Sequence, residues 1–213
     1  RLAQALARVD DRQQRMAGRA VWPAPALLPW PVFVDDLHRV AQEAGLDVPA
    51  RRLAPAQEAW LWRSIIGRDA AQTPLADEGS LARMAAEAFR IVYAHGEGGE
   101  SWRGFGAQGA EGEAFARWAE AFLREVDHRG ASDSSRRADR VASVAARLPR
   151  VQGLEVLLAG NPEPDAQARR LVDALRAAGA SVAPAPVEDG PVPAPVVHVA
   201  LSPREEWVHA LRW

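Results

Sequence analysis

Cysteine and lysine are both absent from this chain of 213 residues. The absence of cysteine excludes disulfides, thiolate nucleophiles and cysteine-based zinc sites. Because all 26 basic residues are arginine, the chain also lacks the lysine that a P-loop, a Schiff base or a Ser-Lys dyad requires. Enzyme classes that depend on either residue are therefore excluded for this chain.

Long apolar runs and a strong net charge are missing as well. No segment approaches the ~20 apolar residues that a membrane span needs, and no secretory signal is visible, so we expect a cytoplasmic protein without membrane contact. The formal net charge is −2, so any nucleic-acid surface has to be a local patch. The chain starts at Arg1 and its last residues, up to Trp213, have helical periodicity, so we expect a piece of a larger protein.

Hydrophobic residues make up 48% of the chain, which is enough for a folded core, and their spacing is mostly helical. Apolar residues three and four positions apart predict helices over 2–18, 32–44, 55–66 and 80–94, through Phe115–Val126, and from about Asp133 to Leu148. Ser80 is the predicted N-cap of the fourth helix. The residues between the fourth and fifth helices, 96–112, are rich in glycine and predict a loop.

Short apolar runs bounded by proline or glycine predict strands, most of them after Pro149. The expected positions are 20–24, 154–159, 181–184 and 196–201, with a helix over about 165–178. A strand–helix–strand order with short links predicts a parallel α/β unit. The predicted fold class is therefore α/β: residues 1–49 and 149–213 form a mostly parallel, Rossmann-like sheet domain, and residues 50–148 form a large all-helical insertion.

Two patterns resemble ligand sites without meeting their requirements. Gly104–Gly109 has the spacing G-x-G-x-x-G, but a dinucleotide site needs a strand directly before the first glycine, and here a polar loop precedes it. Asp35 and His38 can share one helix face, but a metal site usually needs a third ligand and further support. We interpret the first as a connector and the second as a solvated helix face. We expect no catalytic residue, no metal site and no cofactor.

Tryptophan and arginine are the remaining candidates for nucleic-acid contacts. Most of the eight tryptophans, Trp60 among them, occupy core-facing helical positions, whereas Trp102 in the glycine-rich loop is expected to be exposed. Arginine suits phosphate because its planar guanidinium can donate two hydrogen bonds at once. Two clusters are the predicted nucleic-acid contacts: Arg136, Arg137, Arg140 and Arg147, and secondarily Arg8, Arg12, Arg15 and Arg19. The alternative interpretation is that both are solvated helix faces.

Short segments spread over the whole chain resemble the N-terminal region of one bacterial family. They are Arg1–Leu6, Ala20–Trp30, Leu53–Glu58, Phe115–Phe122, Leu157–Gly160, Leu175–Val182 and Ser202–Val208. Each is a loose pattern, but their order along the chain resembles that of the AddB-like, or exonuclease V subunit-like, DNA repair proteins. The resemblance implies a helicase-like region with a helical insertion, followed in the full protein by a PD-(D/E)XK nuclease that lies outside this chain.

The resemblance also has implications for activity. The family's strand before Gly160 often ends in an acidic, Walker B-like residue, and Ala159 occupies that position here. Without that carboxylate and without any lysine, we expect that the chain does not hydrolyse ATP. The expected partners are DNA, bound independently of sequence, and a helicase–nuclease partner subunit.

The resulting prediction is a non-catalytic, helicase-like region of a DNA repair protein, which guides DNA or organises the complex. Two alternatives stay open. One is a Rossmann-like domain that binds a nucleotide or another small molecule, which a ligand at the turn after Ala159 would favour. The other is a protein-interaction scaffold, which would be favoured if neither arginine cluster faced a continuous groove.

Overall fold

Helices dominate the computed structural model, which describes residues 11–12, 14–21, 26–70, 77–96, 101–159 and 164–185. The α-helices are α1 (Trp30–Glu43), α2 (Pro55–Ala70), α3 (Glu78–His95), α4 (Ala110–His128), α5 (Arg137–Val144) and α6 (Ala166–Ala177). Two 3-10 helices, Ser101–Gln108 and Ala145–Arg147, precede α4 and follow α5. The strands are β1 (Arg51–Arg52), β2 (Ala131–Ser132), β3 (Glu155–Leu158) and β4 (Ser181–Pro184).

The predicted α/β fold class is wrong. Helices account for 65% of the described residues and strands for 8%. The described strands form two separate sheets of two parallel strands each, β1 with β2 and β3 with β4. A Rossmann-like domain would need one parallel sheet of several strands. The segment expected to be all helical contributes β1 and β2, so that part of the prediction is wrong as well.

The four predicted strands have different outcomes. The two after the helical segment are confirmed, because β3 and β4 pair in parallel with Glu155 opposite Ser181. Ala20 and Val21 lie outside any strand, and the Val21 side chain is 87% exposed. The rest of that predicted strand, and the whole of the one at 196–201, lie outside the described residues. A short apolar run is a weak strand signal because it fixes neither the backbone conformation nor a pairing partner.

Within the described residues, the helical predictions are confirmed to within a few positions, and local signals explain the helix ends. Pro31 lies in the first turn of α1, where its missing N–H costs no hydrogen bond. Gly45 follows that helix with a φ of 68°, a left-handed conformation that glycine adopts readily. At α3 the N-cap is Asp77, whose carboxylate accepts a hydrogen bond from the Gly79 N–H at 3.0 Å, and not the predicted Ser80.

Buried apolar side chains form two cores. The aliphatic core lies between α1, α5, α6 and β4, and Ala41, Val141 and Leu171 are among its members. The aromatic core lies between α2, α3 and α4, and its largest members are Trp62, Phe89, Tyr93, Trp102 and Phe122. Helix α5 packs in the aliphatic core, although its residues fall within the predicted insertion. The division into residues 1–49 with 149–213 and residues 50–148 stays a prediction.

Candidate functional site

Charged side chains are buried in the turn between β2 and α5, where the two cores meet. Asp133 has no exposed surface, and its carboxylate accepts hydrogen bonds from the Arg136 backbone N–H at 3.0 Å and from its guanidinium at 2.6 Å. Arg136 also donates to the Asp127 carboxylate on α4 at 3.1 Å. One arginine between two carboxylates therefore fastens this turn to the end of α4.

This arrangement keeps the charge of Arg136 in a place that water hardly reaches. Its side chain is only 11% exposed, and burial by itself would lower the pKa of the guanidinium. The carboxylates of Asp133 and Asp127 outweigh that effect and hold the pKa of Arg136 above its ordinary value. Removing one member of a buried pair leaves an uncompensated charge, so Arg136 has a structural role in this turn.

A second ion pair joins α5 to α1. The Arg137 guanidinium, whose side chain is 12% exposed, donates a hydrogen bond to the Asp35 carboxylate. Arg52 of β1 lies 3.6 Å from the other carboxylate oxygen of Asp35. Asp35 therefore connects a helix of the aliphatic core with the strand that leads into the aromatic core.

His38 is fully buried beside this ion pair, so the interpretation of its helix face as solvated is wrong. Neither ring nitrogen makes a hydrogen bond of ordinary geometry with the described residues, and Nε of Arg137 has none there either. Burial lowers the pKa of His38, and the charges of Arg137 and Arg52 lower it further, against smaller opposing effects of Asp35 and Gln42. The neutral imidazole is therefore the favoured form in the folded chain.

Helix α6 is connected to both cores through Arg170. Its guanidinium lies 2.9 Å from the Asp139 carboxylate on α5, and it donates hydrogen bonds to the carbonyl oxygens of Tyr93 at 3.2 Å and Gly96 at 2.7 Å. Carbonyl groups at the end of a helix lack partners within the helix. Arg170 thus ties an aliphatic-core helix to the C-terminal end of α3 in the aromatic core.

Helix α2 is fastened to the β2–α5 turn through Glu58. Its carboxylate accepts hydrogen bonds from the backbone N–H and the hydroxyl of Ser134, at 2.7 and 2.8 Å. Burial raises the pKa of Glu58, although these two hydrogen bonds oppose the shift. We use the name junction network for all these polar residues: Asp35, His38, Arg52, Glu58, Asp127, Asp133, Ser134, Arg136, Arg137, Asp139 and Arg170.

The structure places the four predicted nucleic-acid contacts near α5 in two different settings. Arg136 and Arg137 are engaged in the junction network. Arg140 is 41% exposed and lies 3.4 Å from Asp127. Arg147 is exposed and has no acidic partner among the described residues. Of these four arginines, Arg140 and Arg147 are the ones whose charge an external ligand can reach.

The second predicted cluster precedes α1 and is described only in part. Arg8 lies outside the described residues. Arg12, Arg15 and Arg19 are exposed; Arg15 lies 3.1 Å from Asp11, and Arg19 donates a hydrogen bond to the Gln14 side chain at 2.9 Å. Their contact with DNA stays a prediction.

Ala159 directly follows β3 and lies on the wall of an open groove. The groove has a volume of about 1370 Å³ and runs between α1, β3 and the start of α6. Its walls are largely apolar, with Leu27, Phe33 and Leu157 among them. Six charged residues also line it: Asp36, Glu43, Glu155, Asp165, Arg39 and Arg150. Because acids outnumber arginines, the groove is a poor path for a phosphate backbone.

The burial of two tryptophans is the reverse of the prediction. Trp102 is 3% exposed and packs in the aromatic core, whereas Trp60 is 56% exposed. Trp60 and Trp62 are two residues apart on α2, which separates them by about 200° around the helix. The two rings therefore cannot both face the same core, and since Trp62 is buried, Trp60 faces solvent. The spacing of the pair predicts that one of the two tryptophans is exposed.

The described part of the chain shows neither a metal-binding cluster nor a membrane-spanning helix. It contains no group of three or more His, Asp or Glu side chains arranged to hold a metal ion. None of its helices is both long and apolar enough to cross a membrane. The junction network is therefore its most distinctive polar feature.

Comparisons with known proteins identify no relative of this chain. No protein-family model matches it, and searches of curated proteins and of solved structures give no significant match. A functional interpretation therefore depends on the geometry described above and on the resemblance of the sequence segments.

Proposed function

We propose that this chain is a non-catalytic region of a DNA repair protein of the helicase–nuclease type, where it organises the complex and guides a DNA strand. The junction network is the observation that carries the structural part of the proposal. Its carboxylates are bound to arginines or to a serine of the same chain, so it fixes the orientation of the two cores. A spacer or guide within a larger complex requires such a fixed shape.

The positions of the buried polar groups support a role without catalysis. An acid or base with a catalytic function usually lies in a cleft that a substrate can enter. Here His38, Glu58 and Asp133 lie in contacts between helices instead. Ala159 also stands where the resemblance would place a metal-binding carboxylate. Both observations favour a structural role for the chain.

Exposed arginines support the DNA-guiding part of the proposal. Arg140 and Arg147 can be approached from solvent, and Arg12, Arg15 and Arg19 before α1 are exposed as well. The net charge of −2 limits the strength of any such binding. We therefore expect weak, sequence-independent contacts that weaken with salt, with a slope of about −0.7 per phosphate for a single strand.

The scaffold role is the alternative to DNA guidance. Arg136 and Arg137 are little exposed and are held in ion pairs with Asp133 and Asp35. The groove beside Ala159 is mostly apolar, with an excess of carboxylates. The interpretation as a Rossmann-like domain that binds a small molecule is not favoured, because the described strands form two separate pairs and not one parallel sheet of several strands.

Fluorescence anisotropy with labelled single-stranded oligonucleotides tests the proposal. We expect weak binding at about 50 mM salt, similar for unrelated sequences, and its loss by about 200 mM. The double variant Arg140→Ala with Arg147→Ala should weaken binding equally for all sequences. The matched control, Arg83→Ala with Arg169→Ala, removes two exposed charges elsewhere and should bind like the parent.

Two outcomes would contradict the proposal. If the parent chain does not bind at about 50 mM salt, the DNA-guiding part is wrong and the scaffold role takes its place. If the purified chain hydrolyses ATP above a buffer blank, the non-catalytic part is wrong.

A further inference from the structure

Trp60, on the surface of α2, has surroundings that suit a nucleic-acid base. The Arg129 guanidinium lies over its ring, 5.7 Å from the ring centroid. The ring borders a recess of about 250 Å³ whose lining also includes Arg51, Ala56 and Gln57. A large ring that is more than half exposed beside two arginines gives this surface an aromatic platform and positive charge together.

Helix and strand geometry bring these groups to one place. Ala56, Gln57 and Trp60 are three and four residues apart on α2, so they share one face. In β1 successive side chains point to opposite sides, and Arg52 is turned towards Asp35. The neighbouring residue, Arg51, therefore points to the other side, where the recess lies.

The charge of the recess is positive. Two arginines and no acidic residue line it. Glu125 partly compensates Arg129, since their charged groups lie 2.6 Å apart. Arg51 is exposed and has no acidic partner among the described residues. The carboxylate of Glu58, which lies on α2 with Trp60, is hydrogen-bonded to Ser134. Arg51 is thus available to an anion that approaches the Trp60 ring.

We propose that this recess holds one nucleotide of a single DNA strand, with the base stacked on Trp60 and the adjoining phosphate at Arg51. The inference rests on the proposed function and names the place where the strand is held. Stacking on an aromatic ring tolerates any sequence because every base has a π face. The planar guanidinium of Arg51 can bind the phosphate through two parallel hydrogen bonds.

Anisotropy of a labelled oligo-thymidine with the full chain, at about 50 mM salt, tests the site. We expect Trp60→Ala to weaken binding about 5- to 150-fold, the range for loss of one stacking contact. Trp60→Phe should keep most of the affinity, because it keeps a ring. Arg51→Ala should weaken binding and reduce the salt slope by about 0.7. Arg169→Ala, which removes an exposed arginine from α6, should leave the affinity unchanged.

The possible outcomes separate this site from the proposed function. If the parent binds oligo-thymidine and Trp60→Ala binds equally well, the recess is not the site, while DNA guidance through other arginines stands. If the parent does not bind at all, DNA guidance fails and the site fails with it. A Glu-rich peptide is measured in parallel. Peptide binding that depends on Trp60, without such dependence for the oligonucleotide, overturns the assignment in favour of an acidic protein segment.

Discussion

The two cores of this chain are filled with different kinds of side chain. In the aromatic core the rings of Trp62, Phe89 and Phe122 are in mutual contact, with centroids 4.5 to 5.5 Å apart. Among the described residues, the buried members of the aliphatic core are leucine, valine and alanine, and the partly buried Trp30 and Phe33 pack against them. The aromatic core therefore combines five large rings with buried leucine, isoleucine, valine and alanine, whereas the described buried side chains of the aliphatic core include no ring.

This difference determines how each core responds to the loss of one side chain. The cost of a truncation rises with the volume of the cavity that remains, and a ring leaves more volume than a branched aliphatic chain. Ring pairs in edge-to-face or stacked geometry also contribute about 0.5–1.5 kcal/mol beyond their burial. We expect the aromatic core to concentrate its stability in a few positions, and the aliphatic core to distribute it.

Truncation of one central residue in each core tests this comparison and should have the largest effect. We expect Phe122→Ala to lower the free energy of unfolding by about 3–5 kcal/mol, because its ring contacts both Trp62 and Phe89. Leu171→Ala, at a fully buried position of the aliphatic core, should cost less than Phe122→Ala, within the range of about 2–5 kcal/mol for such truncations. Urea unfolding measures both. A larger loss for Leu171→Ala would contradict the comparison.

The next largest effect is expected where the two cores are joined. Asp133→Ala should lower the free energy of unfolding by about 3 kcal/mol, because it leaves the buried Arg136 with Asp127 alone. The control is Asp173→Ala, which removes an exposed carboxylate 3.4 Å from Arg176, and it should cost no more than about 0.5–1 kcal/mol. Equal losses in the two variants would show that the junction network contributes little.

The positions of the helices could be predicted because their signal is local. Apolar spacing and capping residues lie within a few positions of each helix, as for Asp165, whose carboxylate accepts from the Ala168 N–H at the start of α6. The fold class could not be predicted in this way, because strand pairing depends on distant segments. Strand β1 shows the difficulty: it consists of Arg51 and Arg52, and two charged residues carry no strand signal.

The junction network was only partly visible in the sequence. Asp133 and Arg136 are three residues apart, and a local hydrogen bond from a backbone N–H to an aspartate side chain three residues before it can be predicted from the spacing. Arg137, however, meets Asp35 across 102 positions of the chain, and Glu58 meets Ser134 across 76. A basic residue on a polar helix looks the same in the sequence whether its partner is water or a distant carboxylate. For that reason the sequence pattern places Arg136 and Arg137 in one cluster with the exposed Arg140 and Arg147.

A smaller effect should follow from the titration of His38, which lies between the two cores. Its folded-state pKa is lowered by burial and by Arg137 and Arg52, so at mildly acidic pH the unfolded chain binds a proton that the folded chain does not. Stability should therefore fall as the pH decreases below about 6.5, by at most about 1.4 kcal/mol per pH unit for this one proton.

Urea unfolding at a series of pH values between about 7.5 and 5.5, above the ordinary pKa of carboxylates, measures this dependence. The raised pKa of Glu58 acts in the opposite direction, and it acts equally in the parent and in the variants compared with it. The variant His38→Leu should flatten it, since the buried position no longer titrates. The control variant His128→Leu changes an exposed residue at the end of α4 and should keep the slope of the parent. An unchanged slope in His38→Leu would assign the pH dependence to other groups.

The smallest effect is expected at Trp60, and it sharpens the contrast between surface and core within one helix. Trp62, two residues further on, is 2% exposed and contacts both Phe89 and Phe122, so Trp62→Ala should cost about 3–5 kcal/mol.

Trp60→Ala removes only an exposed ring and its contact with Arg129, worth about 0.5–1 kcal/mol. Alanine offsets part of this loss through its higher helix propensity, by up to about 0.7 kcal/mol. The free energy of unfolding should therefore change by less than about 0.5 kcal/mol. A loss above about 2 kcal/mol would mean that Trp60 packs against the fold as a core residue does, and the recess beside it would then have a structural role.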